Sequence, residues 1–338
     1  MVKDVSQIEF QPSELSFGGG ALSGAYDPIA DHWPVEACRE ALSSGINTFD
    51  TSPYYGKSEY ILGEALHKLK EEFPRSTYYL ETKVGRYGYT PKDFDYSTQR
   101  TLESVAESMR RLRTDYIDVV LCHDVEFVDF DQVVGENGAL QGLFQLKAEG
   151  KIKYVGCSGY PLPVLLKIAQ HQHEKGQPLD VILSYSHYNL QNTSLSDYAP
   201  LFREAGVRYI LNASPLNMAL FREAGPPEWH PAHAELRQAA RQCAQVAKEN
   251  GLNISTLASM FAFNGRSTFQ LDSTVIGLER KEEVQQAISA WKTTKAREEG
   301  SEQIPPVETN VLDQINTLLK PHKNYSWQSP SPKELGLV

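Results

Sequence analysis

The stretch Gly45-Ile46-Asn47-Thr48-Phe49-Asp50-Thr51-Ser52-Pro53-Tyr54-Tyr55-Gly56 decides the fold of this chain. Its β-branched and aromatic run at residues 46–49 is typical of a strand, and residues 51–53 then break the extended pattern. Residues 57–69 carry apolar side chains at helical spacing. The stretch therefore predicts a strand that ends in Asp50, a short loop with two adjacent tyrosines, and a helix. Loops in this position carry chemistry in α/β folds.

The same strand and helix unit recurs along the chain. Eight strands are predicted, at residues 15–20, 46–50, 77–82, 117–122, 153–157, 180–184, 207–211 and 274–276. The helices that alternate with them are predicted at residues 35–42, 57–69, 98–112, 139–148, 163–171, 196–204, 234–249, 254–263 and 281–291. Eight alternating strands without a break in composition predict an α/β fold of the closed (β/α)8 TIM barrel type.

The length of 338 residues allows one domain or two. Because no linker interrupts the pattern, we predict a single barrel domain over residues 1–338, with a core at about 15–291. A doubly wound, Rossmann-type sheet is the alternative fold. It is disfavoured because Gly18, Gly20 and Gly24 do not have the G-x-G-x-x-G spacing.

The end of the sequence predicts an extension beyond the barrel. Residues 292–302 are polar and charged, and residues 326–332 are rich in Ser and Pro. An amphipathic helix is predicted near residues 311–319. We therefore expect residues 292–338 to form a C-terminal extension.

The charge and hydropathy of the chain exclude some classes of partner. The formal net charge of -10 argues against nucleic acid or an anionic membrane, because either would repel an acidic surface. No stretch approaches the roughly 20 apolar residues of a membrane span, and the first residues lack the apolar run of a signal peptide. The composition therefore predicts a soluble, cytoplasmic protein with a small-molecule partner.

Neither a disulfide framework nor a metal site is indicated. Cys38, Cys122, Cys157 and Cys243 are far apart and form no C-x-x-C pair, which predicts reduced, buried thiols. The run His171-Gln172-His173-Glu174 lies at a polar helix end without a third ligand nearby, and we interpret it as a solvated helix terminus. We therefore expect no metal.

Polar side chains stand at the ends of three consecutive predicted strands. Asp50 closes the second strand, Lys83 follows the third and His123 follows the fourth, while Tyr55 lies in the loop after Asp50. Each residue alone has a structural explanation, such as a turn cap, a solvated lysine or a core histidine. Because the carboxyl ends of barrel strands share one face, the four together predict an active site.

These motifs resemble the aldo-keto reductase superfamily. The resemblance is carried by residues 45–51 with Tyr55-Gly56, by Thr82-Lys83 and by residues 118–123, and it covers about residues 15–291. It implies a (β/α)8 barrel that works with a nicotinamide cofactor. The residues implied to be catalytic are Asp50, Tyr55, Lys83 and His123.

Five further segments are similar to the branch of that superfamily formed by aldose 1-dehydrogenases acting on L-galactose and D-arabinose. They are Cys122-His123-Asp124-Val125-Glu126-Phe127, Gly159-Tyr160-Pro161-Leu162, Asp180-Val181-Ile182-Leu183-Ser184-Tyr185-Ser186-His187-Tyr188, Ala213-Ser214-Pro215-Leu216 and Gly225-Pro226-Pro227-Glu228-Trp229-His230-Pro231-Ala232. The branch oxidises the C1 hydroxyl of an aldose to a lactone. The resemblance therefore implies an aldose substrate of the D-arabinose, L-galactose or L-fucose type.

The chemistry of that reaction explains the residue types. A phenol with an ordinary pKa near 10 is mostly protonated at neutral pH, so Tyr55 needs a cation beside it to act as a base. Lys83 would favour the phenolate, and Asp50 would hold Lys83 in position. His123 would orient the substrate oxygen. Tyr54 is the rival base, but the family places its tyrosine next to the glycine, which selects Tyr55.

The resemblance also implies contacts for the cofactor and the substrate. Cofactor contacts are expected from Gly20, Ser158, Ser184, Ser214, Leu216, Gly277, Arg280, Glu283 and Gln286. Substrate contacts are expected from Tyr54, Asp124 and Trp229. Ser184 stands where family members carry a longer glutamine, and Ala213 stands where they carry a tyrosine that stacks on the nicotinamide. The group that stacks on the nicotinamide is therefore left unassigned.

The choice between NAD and NADP depends on the loop after the eighth strand. Members that prefer NADP place Lys or Arg there to pair with the 2'-phosphate, where this chain has Gly277 and Glu283. The carboxylates of Glu283 and Glu279 would repel a phosphate, and Glu283 could accept a hydrogen bond from a ribose hydroxyl. We therefore predict NAD. Arg280 lies in the same loop and keeps NADP as the alternative.

The sequence leaves two other functions open. The same tetrad serves pyridoxal 4-dehydrogenases and general carbonyl reductases. Some members of the superfamily bind the nucleotide as regulatory subunits with little turnover, which is an alternative of another class.

Overall fold

Eight parallel strands close into a barrel in the computed structural model, which describes residues 9–23, 30 and 32–327. The strands are β1 (Leu15–Gly18), β2 (Thr48–Asp50), β3 (Tyr79–Val84), β4 (Ile117–Cys122), β5 (Ile152–Gly159), β6 (Val181–Tyr185), β7 (Tyr209–Ala213) and β8 (Ser273–Gly277). β1 pairs with both β2 and β8, so the sheet has no free edge. The predicted (β/α)8 barrel is confirmed.

Helices alternate with the strands and cover the outer face of the sheet. They are α1 (Trp33–Ser43), α2 (Ser58–Lys68), α3 (Thr98–Leu112), α4 (Phe130–Val134), α5 (Ala139–Ala148), α6 (Leu162–Glu174), α7 (Leu195–Glu204), α8 (Ala234–Glu249), α9 (Ile254–Phe263), α10 (Gly265–Phe269), α11 (Lys281–Glu298) and α12 (Pro306–Leu319). The short helices α4 and α10 have no counterpart in the prediction. Within the described ranges, no helix has the length and apolar character needed to cross a bilayer.

Apolar side chains pack in two layers, one inside the barrel and one between the strands and the helices. At the N-terminal end of the strands, the ring of Phe10 packs edge-on against Tyr79 and Tyr209, with centroids 4.9 Å apart in both pairs. The backbone N–H of Phe10 donates to Tyr154 Oη at 2.8 Å. We call these four residues the aromatic plug. It fills the centre of the N-terminal end of the barrel.

The C-terminal boundary of the barrel differs from the prediction. α11 does not end at residue 291 but continues through residues 292–298. The polar composition of this segment had indicated an extension that leaves the barrel. In the structure, however, Thr294 is buried, and Arg297 forms hydrogen bonds of 2.6 and 2.9 Å with the carboxylate of Glu308 in α12. The segment is therefore part of the last barrel helix and not the start of the extension.

The rest of the described extension packs on the barrel. α12 lies against α8. Its buried face consists of Val311, Ile315 and Leu319. The chain then returns towards the carboxyl end of the strands, where Gln191 Nε2 donates to the carbonyl of Tyr325 at 3.1 Å. Residues 328–338, the last part of the predicted extension, lie outside the described residues, as does Gly24.

Candidate active site

A cavity of about 570 Å3 opens at the carboxyl end of the strands, opposite the aromatic plug. Its size is within the range of small-molecule sites in proteins. Strand ends supply much of its wall, and the predicted tetrad is part of it. The tetrad residues in the wall are Asp50, Tyr55, Lys83 and His123. The structure thus brings together three residues that the sequence placed at separate strand ends and Tyr55 from the loop after Asp50.

Lys83 forms a buried ion pair with Asp50 on the neighbouring strand. Its Nζ also donates to the carbonyl of Thr51 at 2.9 Å and lies 4.8 Å from the centre of the Tyr55 ring. The Lys83 side chain is only 1% exposed, and a buried ammonium stays charged only with such partners. The site therefore holds a cation beside a phenol ring.

His123 is buried beside Tyr54 and Tyr55. Its ring lies 5.7 Å from that of Tyr55 at an interplanar angle of 87°. Burial lowers the pKa of His123 to about 3, so the imidazole is neutral at physiological pH.

Ser52 contacts one of the two imidazole nitrogens of His123. Ser52 Oγ accepts a hydrogen bond from the N–H of Tyr54 at 3.1 Å and lies 3.2 Å from His123 Nδ1. Its hydroxyl proton is therefore available to Nδ1. When Ser52 donates to Nδ1, the imidazole proton is on Nε2, which lies 3.6 Å from Asp124 Oδ1, and His123 can donate from there to an oxygen in the cavity.

Tyr96 fixes the loop that carries His123. Its Oη donates to the carbonyl of His123 and, at 3.2 Å, to that of Asp124. Asp124 has a φ of 48°, in the left-handed region where Asp is enriched. Gly85 makes room for the tyrosine, because a Cβ at that position would lie 2.3 Å from the Tyr96 ring.

Arg86 is a cavity residue that the sequence analysis missed. It forms an ion pair with Asp124, and its Nη2 donates to Tyr54 Oη at 2.9 Å. The guanidinium carbon also lies 3.9 Å from the centre of the Tyr54 ring, within cation–π range. Its position shortly after Lys83, at the same strand end, is the signal that could have identified it. We call Arg86, Asp124 and Tyr54 the polar wall of the cavity.

The predicted cofactor and substrate residues divide into two groups. Those that line the cavity are Gly20, Ser158, Ser214, Leu216, Gly277, Glu283, Tyr54, Asp124 and Trp229. Outside its wall lie Ser184, Arg280 and Gln286. For these last three the cofactor contact stays a prediction, since they are not part of the cavity wall.

Each of the three has a physical reason for its position. Ser184 is fully buried and faces the helical layer, because side chains alternate along β6 and its neighbours Leu183 and Tyr185 point into the cavity. The guanidinium of Arg280 lies 4.2 Å from the centre of a Trp33 ring and pairs with Glu279 at 3.2 Å. Gln286 is exposed on α11.

Tyr185 supplies an aromatic wall that the sequence analysis did not identify. It lies at the end of β6, next in register to Ala213 of β7, and both line the cavity. The small side chain of Ala213 leaves space beside this ring. A period-2 count along β6 from Leu183 is the signal that could have found Tyr185.

No cluster of three or more His, Cys, Asp or Glu suited to a metal ion occurs in residues 9–23, 30 and 32–327. His171 packs edge-on against Phe130 in the last turn of α6, with ring centroids 5.2 Å apart. The four cysteines are buried and form no disulfide.

Comparison with known proteins agrees with this geometry. The model of the Aldo/keto reductase family matches residues 14–304. The chain is 37% identical to the L-galactose dehydrogenase of Arabidopsis thaliana, over 94% of this chain and 93% of that protein. It is 36% identical to the D-arabinose 1-dehydrogenase of Saccharomyces cerevisiae, over 95% of this chain and 94% of that protein.

A solved structure has the same fold. The glycerol dehydrogenase of Gluconobacter oxydans superposes with a TM-score of 0.66 at 21% identity and covers 96% of both chains. The family match and the two sugar dehydrogenases extend over nearly the whole chain. The family is one of oxidoreductases that use NAD(P)H. The protein therefore belongs to the aldo/keto reductase family.

Proposed function

We propose that the protein oxidises the anomeric C1 hydroxyl of an aldose to an aldonolactone, with a nicotinamide nucleotide as the oxidant. One observation carries the proposal: Tyr55, Lys83 and His123 converge in one cavity beside the polar wall of Arg86, Asp124 and Tyr54. A wall of charged and hydroxyl groups suits a polyhydroxylated substrate better than an apolar aldehyde. The similarity to two aldose dehydrogenases supports the same substrate class.

Each tetrad residue has a proposed role. Tyr55 removes the proton of the C1 hydroxyl, and the Lys83 ammonium favours the phenolate that does so. Asp50 keeps Lys83 in place through the buried ion pair. His123, neutral with its proton on Nε2, donates a hydrogen bond to the C1 oxygen and orients it.

The cavity residues also fit a nicotinamide nucleotide. When bound, the nucleotide would accept the hydride that leaves C1. We propose that Tyr185 offers the ring face on which the nicotinamide rests, since Ala213 has no ring to stack. The rest of the nucleotide would be held by Ser214, Leu216 and Gly277. Glu283 would accept a hydrogen bond from the adenosine ribose.

The product of sugar oxidation tests this proposal. With L-galactose, D-arabinose or L-fucose and an oxidised nucleotide, we expect a 1,4- or 1,5-lactone, because oxidation of a ring hemiacetal at C1 gives the lactone directly. Chromatography of the reaction mixture, with pyridoxal as a parallel substrate, makes the measurement.

Three outcomes would contradict the proposal. Turnover of pyridoxal alone would indicate a pyridoxal 4-dehydrogenase. An alditol formed from reduced nucleotide, without any lactone in the oxidative mixture, would indicate a carbonyl reductase. Nucleotide binding without turnover of any substrate would indicate a regulatory subunit.

The second prediction under this proposal is a preference for NAD. Glu283 lines the cavity, and its Oε2 accepts hydrogen bonds from the N–H groups of Glu279 at 3.0 Å and Arg280 at 3.3 Å. A fixed carboxylate repels a 2'-phosphate, whereas Arg280 is held against Trp33. With L-galactose, we expect kcat/KM for NAD to exceed that for NADP at least about 10-fold, which corresponds to roughly 1.4 kcal/mol.

Two variants distinguish the groups in this loop. Glu283→Gln removes the charge but keeps an oxygen that accepts from the two N–H groups. The ratio of kcat/KM for NAD to kcat/KM for NADP should therefore fall several-fold. Arg280→Ala should leave the preference unchanged. A preference for NADP that disappears in Arg280→Ala would show that Arg280 leaves Trp33 to bind the 2'-phosphate.

A further inference from the structure

Glu81 is a buried acid directly beneath the tetrad. It lies on β3 two residues before Lys83, so both side chains point into the barrel, with Glu81 one layer deeper. In register it is the partner of Asp50 on β2 and of Val119 on β4. Its exposure is 0%. Glu81 is not one of the four tetrad residues.

The surroundings of Glu81 do not suit a charged carboxylate. Neither side-chain oxygen has a hydrogen-bond donor among the described residues. The charged groups that act on it are Asp50 from β2 and Lys83 from β3, while its β4 neighbour Val119 is apolar. Lys83 Nζ already donates to Asp50 and to the carbonyl of Thr51. An ionised Glu81 would thus be buried without a partner, which is costly in a protein interior.

The electrostatics lead to the same conclusion. Burial, followed by the charge of Asp50, raises the pKa of Glu81 well above its ordinary range, although Lys83 acts in the opposite direction. Two carboxyl groups in contact hold one proton between them, because they cannot both ionise at low cost. Glu81 is the deeper member of the pair and has no other donor, so the proton belongs on it.

We propose that Glu81 is a positioning residue of the active site: as a neutral acid it donates its proton to the carboxylate of Asp50 and keeps that carboxylate turned towards Lys83. The inference rests on the proposed roles of Tyr55 and Lys83. A hydrogen bond from an O–H to a carboxylate is among the stronger hydrogen bonds in proteins and fixes the orientation of the acceptor.

The proton on Glu81 also sets the charge beneath the Tyr55 ring. With Glu81 neutral, Asp50 and Lys83 compensate each other. With Glu81 ionised, two negative charges would face one positive charge, and the excess would disfavour a phenolate on Tyr55. Glu81 is therefore needed in its neutral form for Tyr55 to act as a base.

Two substitutions separate this role from simple packing. Glu81→Met fills the same volume but cannot donate, so we expect kcat with L-galactose and NAD to fall about 10-fold or more, the size of one hydrogen bond to a charged group. The Tm should change little, because Asp50 keeps its ion pair with Lys83 and Met adds no buried polar group. Glu81→Gln, whose amide N–H can donate to Asp50, should recover most of the lost turnover.

An infrared measurement tests the protonation state without turnover. The difference spectrum of the unmodified protein minus Glu81→Gln at neutral pH should contain the carbonyl stretch of a protonated carboxylic acid. Glu126, another buried acid whose pKa burial raises to about 8, is present in both proteins and cancels in the difference.

Three results would overturn the inference. They are an unchanged kcat in Glu81→Met, equal loss of kcat and Tm in both variants, and a difference spectrum without the carboxylic acid band. Tyr55→Phe measured in parallel keeps the two proposals apart. If Tyr55→Phe retains turnover, the proposed function of the tetrad fails, while the infrared spectrum still decides the state of Glu81.

Discussion

Replacing Tyr55 by Phe is expected to lower kcat at least about 100-fold, the usual contribution of a general base, with nucleotide affinity nearly unchanged. The substitution removes only the hydroxyl. The ring stays where it packs near Lys83, at 4.8 Å from Nζ, and edge-on to His123. The site should therefore keep its geometry and lose only the hydroxyl that acts as the base. Steady-state kinetics with L-galactose, together with nucleotide titration by fluorescence, makes the measurement.

Tyr54→Phe is the matched control, because it removes the same atom from the adjacent ring. Tyr54 Oη accepts a hydrogen bond from Arg86 Nη2, and Arg86 is also paired with Asp124 in the polar wall. Loss of the Tyr54 hydroxyl should raise KM for the sugar several-fold and change kcat little. Near-normal turnover in Tyr55→Phe combined with a large loss of kcat in Tyr54→Phe would reverse the assignment of the two tyrosines.

Replacing Lys83 by Met should both abolish turnover and weaken the fold. Without the ammonium, Tyr55 has no cation to favour its phenolate, so kcat should fall at least about 100-fold. Asp50 would be left as a buried carboxylate without its ion-pair partner. Removal of one member of a buried pair typically costs about 3 to 5 kcal/mol of unfolding free energy. Urea denaturation measures this loss directly.

The double variant Asp50→Asn with Lys83→Met separates the two effects. It removes both charges, so much of the stability lost in Lys83→Met should return. Turnover should stay as low as in Lys83→Met, because the cation is still missing. Recovery of activity in the double variant would mean that Lys83 matters only for folding and not for Tyr55.

The sequence was sufficient to predict that the four tetrad residues meet, because this prediction needed only the order of the strands. In a closed parallel barrel, residues at the carboxyl ends of neighbouring strands meet whatever the details of their packing. Asp50, Lys83 and His123 are such residues, and an error of one or two positions in a strand boundary does not move them away from that end. The predicted third strand, 77–82, in fact runs from 79 to 84.

Residues whose role depends on side-chain direction could not be predicted in this way. Along a strand the side chains alternate, so a shift of one position exchanges Tyr185, in the cavity wall, for Ser184, in the helical layer. The direction of Arg280 is decided by Trp33, which is distant in sequence, and the position of Arg86 is decided by Asp124 and Tyr54. Such contacts form only after the chain has folded, so the local pattern can indicate the position of a side chain but not the partner that it contacts.

The aromatic plug bears on the path that protons take. Phe10 and the three tyrosines around it pack at the N-terminal end of the barrel, whereas the cavity opens at the carboxyl end of the strands. In the proposed reaction, a proton that Tyr55 takes from the sugar would therefore leave on the side where the sugar binds. The proposal then predicts that this proton stays on Tyr55 or its neighbours while the sugar is bound and returns to solvent with product release.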